Sequence, residues 1–270
     1  MASSDIHPTA IVEPGAEIGA GCQIGPYCHI GETVRLGRNN VLHAHVVVAG
    51  NTIVGEGNEI YPFCCFGTLA EDFRFRREWA SYVRIGDGNI FREYTTVNAS
   101  ASDGGSTVIG SNCFLLSYSH VAHDCVLGEK VTLSCDAKIS GHVHIGDHAI
   151  VSAKTGVVQF VRIGAFAFVG GFNKVTKDIL PYCIADGYPS VMRGVNKVGL
   201  ERNGLSAERI RIVRDAFRTM LKLGLPLTEA VARLSERYPD NNEVREMIAF
   251  ATASKTGLAR PRNRDSAQAP

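Results

Sequence analysis

The 270-residue sequence has a single tryptophan, and only 8% of its residues are aromatic. An interior built from it has to be narrow and filled by aliphatic and small side chains. Net charge is also nearly absent, with 28 Lys and Arg against 27 Asp and Glu. The bulk composition is therefore neither that of a nucleic-acid binder nor that of a strongly acidic protein, and no nucleic-acid partner is expected. No run approaches the roughly 18 apolar residues that make a membrane span. The opening Met1-Ala2-Ser3-Ser4-Asp5 lacks the basic and apolar regions of a signal peptide, so the expected location is cytoplasmic. There are eight cysteines but no C-x-x-C pair, which argues against zinc knuckles and dithiol redox motifs.

What the sequence does have is glycine, 28 residues of it, and a six-residue beat. From Ile109 to Val175 every sixth residue is aliphatic, twelve in succession. The same beat runs from Ile6 to Phe66 in eleven units and through Ile85, Phe91 and Val97 in three. A fixed short period signals one structural unit repeated. Period six cannot hold one face of a 3.6-residue helix, but it can mark the same inward point on each flat side of a coil. Three units per turn stack residue i on i+18, at roughly 4.8 Å per rung. This is a parallel β-helix of triangular section. The period does not set its hand, and the usual crossover rule favours right-handed connections.

With the aliphatic residue as position 1, position 5 takes small residues, among them Cys22, Cys28, Cys64, Cys113 and Cys125. Free cysteine packs as a small hydrophobe, so these thiols read as filler of a reduced protein. The beat breaks at 67–83 and at 98–107, two loops thrown out from the coil. Long loops on repeat scaffolds tend to carry function. After Gly204 the periodicity becomes helical. Three helices are expected, at about 206–224 with Ile210, Val213, Phe217 and Leu221 inward, at 228–238 with Val231 and Leu234, and at 242–256 with Val244, Met247 and Ile248. The resulting division is a β-helix over 1–190, an α-helical part over 191–257 and a disordered tail over 258–270.

Chemistry-bearing residues concentrate around Val121-Ala122-His123-Asp124-Cys125. With 18 residues per coil, His120 and His123 lie near His142 and His144. His123 and His142 occupy positions 3 and 4 of their units, outside the inward set, so they are expected to face out. Several histidines on neighbouring coils could hold zinc. The β-helical carbonic anhydrases pair a histidine with another five residues on, and this sequence has no such pair, so no metal is expected. The other reading is general-base catalysis, with Asp124 orienting or charge-stabilising a histidine. A surface histidine with a local hydrogen bond also satisfies the motif. Asp124 can bond directly to His123 only if the chain turns there.

A set of motifs then points to a family. Ile11-Val12-Glu13-Pro14-Gly15-Ala16, His45-Val46-Val47-Val48, Asn58-Glu59-Ile60-Tyr61, His120 to Cys125, Ser140-Gly141-His142-Val143, Gln159-Phe160 and Gly194-Val195-Asn196-x-x-Gly199-Leu200 resemble UDP-N-acetylglucosamine O-acyltransferases over about residues 5–257. The resemblance implies a mainly β fold, a left-handed parallel β-helix of hexapeptide repeats with an α-helical C-terminal domain. It implies a homotrimer with active sites between subunits. The reaction it implies opens lipid A biosynthesis, by transfer of a 3-hydroxyacyl chain from acyl carrier protein to the 3-position of UDP-N-acetylglucosamine. No bound cofactor is implied, since the donor is the phosphopantetheine thioester of the carrier. His123 corresponds to the general base, Asp124 to its partner and the Gly141 N–H to the oxyanion donor. His120, His142 and Gln159 correspond to active-site residues. Asp72 and Arg74 match the loop residues that hold the sugar, with Arg in place of Lys. Asn196 and Arg202 match nucleotide and phosphate contacts, and Gly171 the residue that gauges acyl length.

The sequence departs from the family in three places: Val158 stands where a histidine is usual, Asn98-Ala99-Ser100-Ala101 replaces His-Arg-Gly-Thr, and a Gly-Glu after Phe75 is missing. These touch acceptor recognition and open an alternative, acylation of a 3-amino analogue of the sugar to give an amide. On the first of the expected helices, Arg211, Arg214, Arg218 and Lys222 form a basic stripe suited to docking an acidic carrier. The reading from a different class is a non-catalytic β-helical scaffold or binding protein.

Overall fold

The computed structural model describes residues 4–260. Twenty-six short parallel strands, from Asp5–Ile6 to Lys174–Val175, coil into a three-sided prism. Each aliphatic residue of the beat pairs with its counterpart one coil on, as Ile6 with Ile24 and Val121 with Ile139. The first face begins at Asp5–Ile6, the second at Ile11–Val12 and the third at Glu17–Ile18. Position 1 and position 5 fill the interior, where Ile24, Leu42, Val121 and Ile139 are at most 2% exposed. Each such aliphatic contributes about 1.5–3 kcal/mol relative to an exposed one.

The small residues at position 5 do more than fit. Cys22, Cys28, Cys113 and Cys125 donate their S–H to carbonyl oxygens fifteen residues on, and Thr155 does the same with its hydroxyl. Asn40, Asn58 and Asn89 occupy the same position and form a ladder: the Asn40 and Asn58 side-chain oxygens each accept from the backbone and amide of the next asparagine, and the Asn89 oxygen accepts the Cys113 N–H. A buried polar residue is tolerated here because all its bonding capacity is spent.

Position 3 has the opposite property. Pro8, Pro14, Pro26 and Pro62 all stand there, and proline lacks an N–H. The backbone bonds between coils run from positions 2, 4 and 6, as in His43 N–H to Ile60 O and His45 N–H to Pro26 O. Where position 3 is not proline its N–H stays outside the backbone ladder, and at Glu32, Glu56, Asp87 and Glu129 it is taken by a side chain of the neighbouring coil.

Both loops leave from the same edge of the prism, where the chain passes from the second face to the third. Strands Cys65–Thr68 and Tyr82–Ile85 reach into the first expected loop and leave 69–81 outside, while Thr96–Asn98 and Ser106–Ile109 flank the second. We refer to this as the loop edge. The next coil turns the same edge at His123 and Asp124, between His120–Val121 and Val126–Leu127.

Beyond the prism the structure differs from the sequence reading. Val191–Val195, expected in the helical part, is a strand that runs antiparallel to Cys183–Asp186 and extends the first face. Four helices follow: α1 (Lys197–Arg202), α2 (Ala207–Leu221), α3 (Leu227–Arg237) and α4 (Asn242–Thr252). The short α1 has no apolar period to announce it and is started by the Asn196 side chain, which accepts from Gly199 N–H. α3 buries Ala230 and Leu234, whereas Val231 is only half-buried. Leu258 and Ala259, assigned to a disordered tail, are 9% and 3% exposed and bridge to Asp178. The rest of that expected tail, 261–270, lies outside the described residues. Among the described residues no helix is long and apolar enough to cross a membrane.

Candidate active site

Position 3 on the loop edge carries His123, Gly141 and Gln159, and position 4 carries Asp124, His142 and Phe160, on three successive coils. Asp124 has φ +58°, so the chain turns there and its carboxylate swings back to its own neighbour. His123 Nδ1 lies 2.8 Å from Asp124 Oδ2. With the Nδ1 proton held by the carboxylate, Nε2 keeps its lone pair free to accept. The partner oxygen is itself held: the Ser100 hydroxyl donates to Asp124 Oδ1, the Ala101 N–H to Oδ2 at 3.0 Å, and the Asp124 N–H donates to Thr107 Oγ1 at 2.8 Å.

His123 was expected to face out. It does leave the core, but it is 3% exposed, because it lies flat against the Gly141 backbone. A Cβ at 141 would fall 2.5 Å from the imidazole Cε1 and 2.6 Å from Nε2. The glycine is therefore what admits the ring. As a position 3 residue, Gly141 also has an N–H with no acceptor among the described residues.

His142 meets His123 edge-on at 5.1 Å and stacks on Phe160 at 4.7 Å. Its Nε2 is 3.7 Å from Asp124 Oδ2. His123, Asp124 and His142 are the one cluster of metal-ligand type among the described residues. Its shortest separation is the 2.8 Å hydrogen bond between His123 and Asp124, which a metal would have to displace, and the arrangement reads as a proton-transfer pair.

Of the three, His123 opens onto a cavity of about 210 Å³, lined also by Glu71, His120, Ala122, Lys138, Ile139, Ser140, Gly141 and Gln159. His120 Nδ1 bonds Thr96 Oγ1 at 2.8 Å, and its Nε2 is 3.4 Å from Glu71. Lys138 and Glu71 did not stand out in the sequence. Lys138 was legible in principle, since it follows His120 by one coil on the outer side of the second face. Glu71 sits in a loop without periodicity.

Electrostatics separate the titratable groups. Burial pushes the Asp124 carboxyl up, but the Ser100 hydroxyl, His123 and the Ala101 N–H outweigh it and hold it below the usual carboxylate range. Burial lowers His120, against the opposing pull of Glu71, so it favours the neutral ring. Arg74 holds the Asp72 carboxyl well down. Burial pushes the Cys125 thiol up to about 12, which removes the cysteine beside the pair as a nucleophile at neutral pH.

The remaining expected residues are elsewhere. Asp72 and Arg74 pair with each other in the loop, Arg74 Nε donating to Asp72 Oδ1 at 3.0 Å. Asn196 is buried and spent on Phe166 O and on capping α1, while Arg202 is exposed at the end of α1. Gly171 lies on the edge between the first and second faces, where an added Cβ would meet Ala153 O alone within 4 Å. Arg211, Arg214 and Arg218 are exposed along α2, and Lys222 is its C-cap. Asn98, at one departure from the family pattern, turns its amide to Leu69 O at 2.7 Å and anchors the first loop.

A coil of hexapeptide units with a histidine–aspartate pair at its edge, and no competent cysteine nucleophile beside it, is that of a hexapeptide-repeat acyltransferase. The family model described as bacterial transferase hexapeptide matches residues 106–141. The second domain of UDP-N-acetylglucosamine O-acyltransferase matches residues 178–259. The UDP-N-acetylglucosamine acyltransferase of Francisella novicida is 32% identical, with 97% of this chain and 96% of that one covered and a TM-score of 0.94. The enzyme of Moraxella catarrhalis is 36% identical, covering 94% and 99%, with a TM-score of 0.91. That of Bacteroides fragilis is 34% identical, covering 94% and 100%, at 0.91. This chain belongs to the UDP-N-acetylglucosamine acyltransferase family, and it is an acyltransferase with the left-handed β-helix and C-terminal helical part of that fold. Its coils run against the right-handed rule for strand crossovers.

Proposed function

We propose that the chain transfers a 3-hydroxyacyl group from acyl carrier protein to the 3-hydroxyl of UDP-N-acetylglucosamine, the first step of lipid A synthesis. The observation that carries the reading is the free Nε2 of His123, oriented by Asp124 and set against the unspent N–H of Gly141. His123 Nε2 takes the proton of the sugar hydroxyl as the oxygen attacks the thioester carbonyl carbon. The tetrahedral oxyanion accepts the Gly141 N–H, worth about 3 kcal/mol in comparable holes. Collapse reforms the carbonyl and breaks the carbon–sulfur bond, and the departing thiolate takes the proton back from the imidazolium. Asp124 keeps the ring in the required tautomer and stabilises its charged form.

The single-chain cavity, about 210 Å³, falls below the roughly 300–1,000 Å³ typical of small-molecule sites. A sugar nucleotide and an acyl-phosphopantetheine need more room, which supports a homotrimer with the site between copies. Exposed Tyr27, Phe63, Tyr94 and Tyr118, stacked along one edge with His45 among them, are apolar surface for such packing. In this reading Asp72, Arg74, His120, His142, Gln159 and Arg202 hold the acceptor, Asn196 fixes the start of α1 that presents Arg202, Gly171 limits the chain, and the α2 stripe docks the carrier.

Acylation of a 3-amino analogue is the second reading. It is favoured by the acceptor side, where Val158 is 41% exposed in place of a histidine and the Asn98 amide is turned away to Leu69. The test is to offer the purified protein both sugar nucleotides with a panel of 3-hydroxyacyl carriers and to weigh the products. An alkali-labile ester supports the first reading, an alkali-stable amide the second, and no acylated product from either sugar contradicts both.

A further inference from the structure

We propose that Ser100 is a positioning residue for the His123–Asp124 pair, its hydroxyl fixing the Asp124 carboxylate so that the other oxygen faces the imidazole. This deepens the proposed reaction and rests on that reading for its catalytic consequence. Ser100 is fully buried at position 4 on the coil before Asp124, so the two share one column of the loop edge. Its Oγ already accepts the Ser102 N–H at 3.0 Å. That fixes the hydroxyl's acceptor side and leaves its proton for Asp124 Oδ1. The remaining bonds divide the work. Ala101 N–H and His123 share Oδ2, and Thr107 holds the Asp124 backbone. Without Ser100, the Ala101 N–H is the one loop donor left on the carboxylate, and Oδ1 loses the bond that keeps it turned away from the histidine.

The second loop thereby gains a purpose. Thr96 pairs with His120 across 24 residues where a regular coil uses 18. The six extra residues bring a hydroxyl and an N–H over Asp124. Ser100 is held in turn by Ser81, whose hydroxyl donates to Ser100 O at 2.6 Å.

The consequence for proton transfer has a definite sign. The Ser100 hydroxyl draws charge toward Oδ1, away from the imidazole. Removing it leaves more negative charge on Oδ2 beside His123, which favours the imidazolium and raises the histidine pKa. The other charged or titratable groups around the pair are unchanged by the substitution: His142 on the next coil, His120 on the preceding strand, Lys138 across the second face, and Glu71 and Asp72 from the first loop.

The test follows the His123 imidazole carbon signal by NMR across pH in wild type, Ser100→Ala and Ser81→Ala, alongside kcat and KM for acyl transfer. Ser100→Ala is expected to raise the His123 midpoint by about half a pH unit and to lower kcat roughly tenfold, with KM for both substrates within about twofold. Ser81→Ala, which loosens the loop without touching Asp124, is expected to leave the midpoint in place. An unmoved midpoint in Ser100→Ala, or an equal movement in Ser81→Ala, overturns the proposal whatever the rates. If Ser100→Ala does not fold, Ser100→Cys carries the test, since its weak S–H donor predicts the same direction with a smaller shift. The NMR midpoint does not depend on turnover. Absence of acyl transfer by wild type is therefore a failure of the function reading, separable from a failure of this one.

Discussion

His123, the proposed base, can lie against Asp124 only because residue 141 has no side chain. A methyl group there would lie 2.5 Å from the ring, and the ring would have to leave Asp124. Gly141→Ala is expected to cost about a hundredfold in kcat, the usual penalty for misplacing a catalytic group by about an ångström, with an unchanged circular dichroism spectrum. The same close approach explains why His123, legible in the sequence as an outward residue, is buried. Position alone gave its direction from the coil axis, and the cover comes from its neighbour one coil away. Asp124 makes a second prediction. Its folded pKa lies below the unfolded value, so the stability it contributes is present above the unfolded pKa and is lost as pH falls through the folded one. In urea unfolding, the stability gap between wild type and Asp124→Asn is expected at neutral pH and should close progressively below about pH 4.

At the scale of elements, the prism was readable because one unit repeats and its inward positions obey one rule. The 26 units of the beat are the 26 strands. The parts that were not readable are those set by a single docking event. Val191–Val195 has no alternation and becomes a strand because the last coil offers an open edge. α3 turns Ala230 inward, where a small side chain lets it approach α2. The helical part is tied to the coil by Asp178, 1% exposed, which accepts from Arg162 N–H and from the Ser254 and Thr256 hydroxyls. Asp178→Ala removes the acceptor of three half-buried donors and is expected to cost about 2 kcal/mol in chemical denaturation. Glu246 on α4 behaves in the opposite sense. Burial raises its pKa, with Asp147 and Glu243 adding to it and the Tyr182 hydroxyl opposing. The stability loss therefore sets in as pH rises above the unfolded pKa and is complete once the pH passes the folded one. Glu246→Gln, which still accepts from Tyr182, should raise the melting temperature near pH 8 and leave it unchanged near pH 4.

For the whole molecule, the proposed site uses two edges of the prism. His123, the proposed base, sits on the loop edge, and Gly171 sits on the edge between the first and second faces. A Cβ at 171 would meet Ala153 O at 3.3 Å, so Gly171→Met asks the backbone to give by only a few tenths of an ångström and is expected to keep the fold. It is expected to shift preference toward shorter acyl chains in a competition between carriers of different length. The sequence could place Gly171 on a coil but not relate it to His123, because that relation runs through space that no single chain encloses. The central claim, however, concerns one atom, Nε2 of His123. The most direct measurement is the single-turnover rate of acyl transfer by His123→Ala against wild type, with both proteins shown to share the same oligomeric mass. The account predicts a loss of about a thousandfold or more, as for removal of a general base. Transfer within about tenfold of wild type would contradict it.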